Sequence, residues 1–419
     1  MEFSSLKGFR DILPEEVGGW QRLETAARRR FEVFGFQEIK TPVLERTELF
    51  SRGIGQDTDI VSKEMYSFQD VKGRGMTMRP EATASVVRAY IQHRLYENYP
   101  VQKLYSIGPM FRHERPQKGR FRQFHQINAE LFADPGPRSD AEIILMAVGL
   151  FEAMGLDEVS LHLNSLGCAR CRSPFREALH AYLTDKTASL CPDCRRRTRT
   201  NPLRVFDCKM TSCKEVIGNA PSILEFLCQE CRTHFDAVKD YLAQIGVPFV
   251  LNPQLVRGLD YYNRTTFEIQ TLHLGAQNAV AGGGRYDGLV KLLGGPDHPA
   301  IGFAVGMERV VALLEAAGRP EPKCPDLFIA ALGQRADRAS FTWMEDLRKQ
   351  GFWVETDYGL KGLKSQMKKA GRLNTGKVLI VGDDELNAGE GVLRDMVSKE
   401  QIKVDLDQLV HTLAQKHLK

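Results

Sequence analysis

The 419-residue chain lacks any apolar run of the roughly eighteen residues that a bilayer-spanning helix needs, so a membrane-embedded role is not expected. Its opening, MEFSSLKGFRDILPEE, puts charges where a secretory signal needs an apolar core, which makes a cytoplasmic setting the simplest expectation. A strong charge bias is lacking too. The 57 basic and 53 acidic side chains leave only +4, so any affinity for nucleic acid must reside in local patches. AVAGGGRYDGLV is rich in glycine but has neither the G-x-G-x-x-G spacing nor the strand-to-helix context of a dinucleotide fingerprint. In a cytoplasmic protein the nine cysteines are expected as thiols or metal ligands, not disulfides. With 42% hydrophobic and 26% charged residues, the chain has an ordinary globular composition and the length of two or three domains.

What the chain does have is a concentrated basic stretch, FRHERPQKGRFRQFHQ, at residues 111–126. It sets Arg112, Arg115, Lys118, Arg120 and Arg122 around a Pro116/Gly119 turn, with Glu114, Phe121 and Phe124 interleaved. The flanking segments, VQKLYSIGPMF and QFHQINAELF, are rich in β-branched and aromatic residues, which predicts a loop between two paired strands. Strand alternation puts Arg112 and Glu114 on one face. A guanidinium fork there can grip a phosphate, while the carboxylate accepts from an amino group or orients a metal-bound water. A solvated, charged hairpin tip is the alternative.

Other segments carry chemistry of their own. In MTMRPEATASVVRAYIQ a short strand is expected to lead into a helix, with Pro80 in its first turn and Glu81 and Thr83 either capping it or facing a ligand. Gln126 and Glu130 are four apart on one strand face, where a buried carboxylate needs a cationic or hydrogen-bonding partner such as an imidazole; a salt bridge within the sheet would serve equally. Eight of the nine cysteines fall in one segment. Cys168, Cys171, Cys191 and Cys194 approach four-thiolate zinc spacing, leaving Cys208, Cys213, Cys228 and Cys231 for a second site. Buried thiols or a redox pair are the alternatives. The same segment holds Arg195, Arg196, Arg197, Arg199 and Arg204, a phosphate-binding cluster or a solvated turn. Arg257 precedes Gly258, where a tight turn can push its guanidinium into a cleft. Arg309 sits in a first helical turn, a position suited to binding an anion or stacking. Beyond Pro320, Pro322 and Pro325 the pattern alternates as a small α/β domain. There Lys361, Lys364, Lys368, Lys369 and Arg372 give one helix a basic face.

FRHE, a basic loop and FRQF together resemble motif 2 of the class II aminoacyl-tRNA synthetases. GFQEIKTPVLE is similar to motif 1, and the G-x-x-x-G-x-E-R run ending at Arg309 to motif 3. RGLDYY and GGGRYDGL resemble the two histidine-specific signatures of the histidyl-tRNA synthetases, bacterial type. The resemblance covers essentially the whole chain. It implies an α+β catalytic domain with an antiparallel sheet flanked by helices (residues 1–159 and 246–320) and a Cys-rich insertion (160–245). A linker (321–325) and an anticodon-binding α/β domain (326–419) would follow.

The implied activity is ATP-dependent ligation of L-histidine to its tRNA through a histidyl-adenylate, with Mg2+, in a homodimer whose interface motif 1 builds. By the same resemblance, Arg112 and Arg257 stabilise charge on the α-phosphate. Glu114 and Arg120 hold the nucleotide, and Phe124 and Arg309 sandwich the adenine. Glu81, Thr83, Gln126, Glu130, Arg257, Tyr261, Tyr262 and Tyr286 surround histidine. Zinc would stabilise the insertion only, and His113 and His125 are given no catalytic part. Two other readings stand beside this one. A regulatory subunit of ATP phosphoribosyltransferase shares the catalytic fold, but typically lacks the C-terminal domain and has degraded signatures. A zinc-stabilised RNA-binding protein would leave Arg257 and Arg309 unaccounted for.

Overall fold

The computed structural model describes residues 3–55, 58–117, 119–273, 278–318, 324–359 and 361–418. Lys118 of the basic loop, and Pro320 and Pro322 of the expected linker, lie outside them. The chain separates into two compact units that divide between Pro320 and Glu321.

The first unit is built on an eight-stranded sheet. In spatial order its strands are Gln37–Glu38, Gln102–Phe111, Gln123–Phe132, Ala300–Gly306, Ala279–Arg285, Asn263–Thr271, Val159–Ser165 and Val250–Leu251. The six central strands pair antiparallel, as expected. The two-residue strands at the edges pair parallel, so the sheet is mixed. Each edge strand reaches its neighbour through a long crossover, the connection that parallel pairing requires. Pro42 divides GFQEIKTPVLE between two sheets: Gln37–Glu38 edges the large one, and Leu44–Arg46 joins Tyr66–Gln69 and Gly75–Met78 in a small one.

Strand alternation decides which face is core. Ile127, Ala129 and Leu131, Phe267 and Ile269, and Ile301, Phe303 and Val305 point to one side. Helix Pro14–Val33 covers them with Trp20, Leu23, Ala27 and Phe31, together with helices Pro137–Glu152, Gln229–Gln244 and Met307–Ala317. Pro14 suits the first helical position of the opening helix, where no amide partner is lost. The opposite face presents Gln126, Asn128 and Glu130 on one strand and Glu268 on another. Between them Gly302, Ala304, Gly306 and Gly282 present almost no side chain. That shortage of side chains leaves room over the sheet for a cavity.

The segment expected as an insertion shares elements with the rest of the first unit: Val159–Ser165 is a strand of the large sheet. Its last helix is not separate either: Phe235, Val238 and Leu242 of Gln229–Gln244 join the main core. The insertion's own core is smaller, built from Phe175, Leu179, Leu183, Val205, Ile217 and Ile223 with Cys194, Cys208 and Cys213. The cysteines also pair differently from their order in sequence. Cys168 and Cys171 meet Cys228 and Cys231, while Cys191 and Cys194 meet Cys208 and Cys213. The chain returns on itself, and proximity follows the fold rather than the order of the C-x2-C turns.

The second unit is a five-stranded sheet in the order Val354–Thr356, Leu327–Ala331, Lys377–Val381, Glu390–Asp395, Gln401–Asp405. Its first three strands are parallel and its last two antiparallel. Helix Leu363–Arg372 exposes Lys364, Lys368 and Arg372, whereas Lys361 precedes it. Lys369 is half-buried and its amine is engaged within the unit, donating to Thr356 O (2.8 Å) and lying 3.5 Å from Asp357 Oδ1.

Candidate active site

The basic stretch forms the expected loop. Its flanking strands pair from Gln102↔Phe132 to Phe111↔Gln123, and a bridge between Gln117 and Arg120 closes the tip. The loop overhangs a cavity of about 320 Å³ on the uncovered face of the sheet. Arg112, Glu114, Arg120, Phe124, Gln126, Glu81, Thr83, Arg257, Tyr261, Tyr262 and Arg309 all line it. Glu130 and Tyr286 lie one layer deeper, each 1% exposed, and are joined to the lining through Thr83 and Tyr261.

Two connected groups make up the site. In the first, Arg120 Nη1 lies 2.9 Å and Arg112 Nη1 3.7 Å from the Glu114 carboxylate. Arg112 also lies over the Phe124 ring, 5.1 Å from its centroid. Arg309 donates from Nε to Gly119 O (3.4 Å) and from Nη1 to Ala279 O (2.5 Å), which ties motif-3-like helix, loop and sheet together. This end is rich in guanidinium groups and apt for polyphosphate.

The second group is buried. Glu81 does not sit inside the following helix, which starts at Thr83; Pro80 therefore precedes the first turn. The Glu81 carboxylate accepts from the Thr83 and Ala84 amides (2.7 and 3.0 Å), so it caps the helix and borders the cavity at once. Burial raises its pKa, against the pull of those amides and Arg112. Glu130 accepts from Tyr286 Oη (2.6 Å) and Thr83 Oγ1 (2.7 Å). Burial pushes its carboxyl up to about 8 despite both hydroxyls, and nearby Glu81 adds to the rise. Gly302 makes this possible, since a Cβ there would come within 1.8 Å of Glu130 Oε2.

Arg257 lies along the sheet and donates to Glu268 Oε2 (2.9 Å), with the Tyr262 ring 5.8 Å away. Its Nη1 would be 2.3 Å from a Cβ on Gly282, so glycine is required for that approach. Burial by itself would lower the Arg257 pKa; Tyr262 and Glu268 more than offset it and hold the group cationic. Arg257 Nε, Gln126 Oε1 and Asn128 Oδ1 are buried on the cavity wall without a hydrogen-bond partner among the described residues, so the wall has polar capacity to offer a ligand.

Asn128, Asp207 and Glu268 were not anticipated as lining residues. Glu268 had a signal, as a lone acid in the alternating strand TTFEIQT. Asp207 had none, because it arrives from the insertion. The arginine cluster is largely spent on structure. Arg195 caps Leu190 O, Arg197 reaches Arg204 O and Asp59, and Arg204 donates to Gly258 O and Asp260 (2.9 Å each). His125 faces Trp20 and Glu308, and the His113 amide donates to Glu64 O.

A mixed sheet roofed by an arginine-bearing hairpin loop, with a third arginine rising from a helix start, is the catalytic scaffold of a class II aminoacyl-tRNA synthetase. Residues 8–310 match the family model described as histidyl-tRNA synthetase, and residues 326–416 match that of an anticodon binding domain. A histidine-tRNA ligase of Desulfatibacillum aliphaticivorans is 57% identical over 409 residues, 98% of each chain. The apo histidyl-tRNA synthetase of S. aureus superposes with a TM-score of 0.82 at 35% identity, covering 98% of this chain and 99% of that one. A Bacillus halodurans chain described as an ATP phosphoribosyltransferase regulatory subunit/histidyl-tRNA synthetase shares the fold, with a TM-score of 0.68 at 19% identity over 91% and 99% of the two chains. The chain belongs to the histidyl-tRNA synthetase family.

Proposed function

We propose how this cavity carries out the ATP-dependent charging of tRNA with histidine, the activity of the family in protein synthesis. The observation that carries the reading is the division of one cavity into a guanidinium-rich end and a buried end of carboxylates and phenols, with Arg112 and Arg257 lining the same space.

Histidine is held with its α-ammonium on Glu81 and Thr83. Its imidazole lies toward Gln126, Glu130, Tyr261, Tyr262 and Tyr286. ATP lies under the loop, its adenine between Phe124 and Arg309 and its distal phosphates on Arg120. The histidine carboxylate attacks the α-phosphorus; an O–P bond forms as the bond to the bridging oxygen breaks, and pyrophosphate leaves with the electron pair. Arg112 and Arg257 stabilise the charge gathered on the α-phosphate oxygens. The terminal adenosine hydroxyl of tRNA then attacks the acyl carbon, releasing AMP.

The carboxylate of Glu114 suits a hard divalent cation such as the magnesium that accompanies ATP, which would supply further charge neutralisation. Positioning and electrostatics suffice for both steps, so no side chain forms a covalent bond. No cysteine is among the residues lining the cavity. The anticodon-binding unit supplies further tRNA contact. A homodimer formed along the Gln37–Glu38 edge completes the reading and is checked by the mass in solution.

Pyrophosphate exchange with each standard amino acid, followed by charging of total tRNA, tests the assignment. Exchange with histidine alone and transfer to tRNA is expected. Histidine binding without exchange would instead point to a regulatory role.

A further inference from the structure

We propose that the insertion holds two structural zinc ions, each bound by four thiolates, with Cys168, Cys171, Cys228 and Cys231 at one and Cys191, Cys194, Cys208 and Cys213 at the other. In each group the four sulfurs all lie within 4.8 Å of one another. Cys168 Sγ is 3.6 Å from Cys171 Sγ and 3.9 Å from Cys228 Sγ, and Cys191 Sγ is 3.9 Å from Cys208 Sγ. Zn–S bonds of about 2.3 Å in a tetrahedron put sulfurs about 3.8 Å apart, so these separations are the edges of a zinc tetrathiolate. All eight cysteines are free thiols.

The backbone is arranged for the same purpose. Cys168, Cys191 and Cys228 each occupy the N-cap of a helix, and Cys171, Cys194 and Cys231 the third position within it. Cys213 holds that third position in a fourth helix, Thr211–Gly218. Both thiols of a C-x2-C turn thus share one helix start, where the dipole favours thiolate. Each group also receives a main-chain amide on sulfur: Cys228 N donates to Cys171 Sγ and Cys191 N to Cys213 Sγ, both at 3.2 Å. Such bonds fix the orientation of a metal-bound thiolate.

The two sites have different tasks. The first joins the start of the insertion to its end, across 57 residues from Cys171 to Cys228. The second secures the middle, the segment Pro202–Asp207 that carries Arg204 to Gly258 and Asp260 and Asp207 to the cavity wall. Zinc in the second site is therefore a positioning element for the loop that bears Arg257. With every ligand a cysteine, neither site keeps an open position for substrate.

The full-length chain, purified without added metal or chelator, should contain two equivalents of zinc by elemental analysis. Dithionitrobenzoate should label exposed Cys324 alone in the native protein, and all nine thiols once chelator and denaturant are added. Replacement of zinc by cobalt should give the intense visible bands of tetrahedral tetrathiolate cobalt. The double variant Cys168→Ser/Cys191→Ser should lose both ions, whereas pairing in sequence order would cost only one. Since that variant can fail to fold, stepwise mercurial titration of the unaltered protein provides a second reading: both zinc ions should be released as eight thiols are consumed. Metal-free folded protein, iron in place of zinc, fewer than nine recoverable thiols, or retention of one ion by the double variant would each overturn the proposal.

Discussion

Glu130 offers a direct test of how the site stores energy. Burial pushes its carboxyl up to about 8 in the folded protein, from the ordinary glutamate value of 4.5. Between those values the unfolded chain has lost this proton and the folded one keeps it. Folding stability therefore falls as pH rises from 4.5 to 8, and the loss levels off above 8. The slope is about 1.4 kcal/mol per pH unit, or about 3 kcal/mol accumulated at pH 7. Against a total domain stability of about 5–15 kcal/mol this is a large cost, and it is held at a residue bonded to both Thr83 and Tyr286. Glu130→Gln has nearly the same shape and no titration. Its amide oxygen can accept from Tyr286 while its NH2 donates to Thr83 Oγ1. Urea unfolding from about pH 5 to pH 8, with Trp343 and Trp353 replaced by Phe so that buried Trp20 alone reports on the first unit, gives the comparison. The stability of the variant relative to wild type should climb by about 4 kcal/mol over that range. A difference that stays flat, or shrinks, would show that Glu130 is already ionised in the folded protein.

Other perturbations follow from single contacts. Arg257→Ala should lower turnover in pyrophosphate exchange by about a hundredfold or more while changing histidine affinity far less; equal losses would remove Arg257 from the transition state. Gly282→Ala places a Cβ 2.3 Å from Arg257 Nη1, and the guanidinium must give way. Exchange should fall by at least about tenfold with the melting temperature nearly unchanged, and an unaltered rate would show that the position of Arg257 is not critical. Asp140→Asn removes the fully buried carboxylate paired with buried Arg285 at Nε (2.9 Å) and leaves only the part-exposed Asp287, 3.2 Å from Nη1, as its counter-charge. Urea unfolding should show a loss of about 3–5 kcal/mol, and a loss under about 1 kcal/mol would mean the surrounding carbonyls suffice.

Local patterns were legible where they are short in range. The basic hairpin loop, the opening helix with its Trp20, Leu23, Ala27 and Phe31 stripe, and the shared face of Gln126 and Glu130 all follow from periodicity and turn residues, which act between near neighbours. The parallel edge strands were not legible, since two residues carry no pattern and their pairing is fixed by distant chain. Asp207 escaped for a related reason: it reaches the cavity only because Arg204, three residues earlier, fastens the insertion to Gly258 and Asp260. Lys369 looked like part of a basic face, yet helical rotation turns it toward Thr356. A charge count along a helix does not say which charges are already engaged by neighbours.

The cysteines show the same limit most sharply, and why it matters for function. Spacing along the chain makes Cys168 to Cys194 one site, and nothing in composition opposes that. Helix Gln229–Gln244, however, must return to bury Phe235, Val238 and Leu242 in the main core. Its first turn carries Cys228 and Cys231 back beside the start of the insertion, and the middle turns are left to meet each other. The hydrophobic demand of one helix thus sets the ligand partners of eight thiols. It also leaves the second cluster free to sit behind Pro202–Asp207, where it steadies a segment that borders both Arg257's loop and the cavity. An insertion whose cysteines are distant from the reacting atoms is in this way coupled to them through Arg204, and replacing Arg204 should impair activation even with both clusters intact.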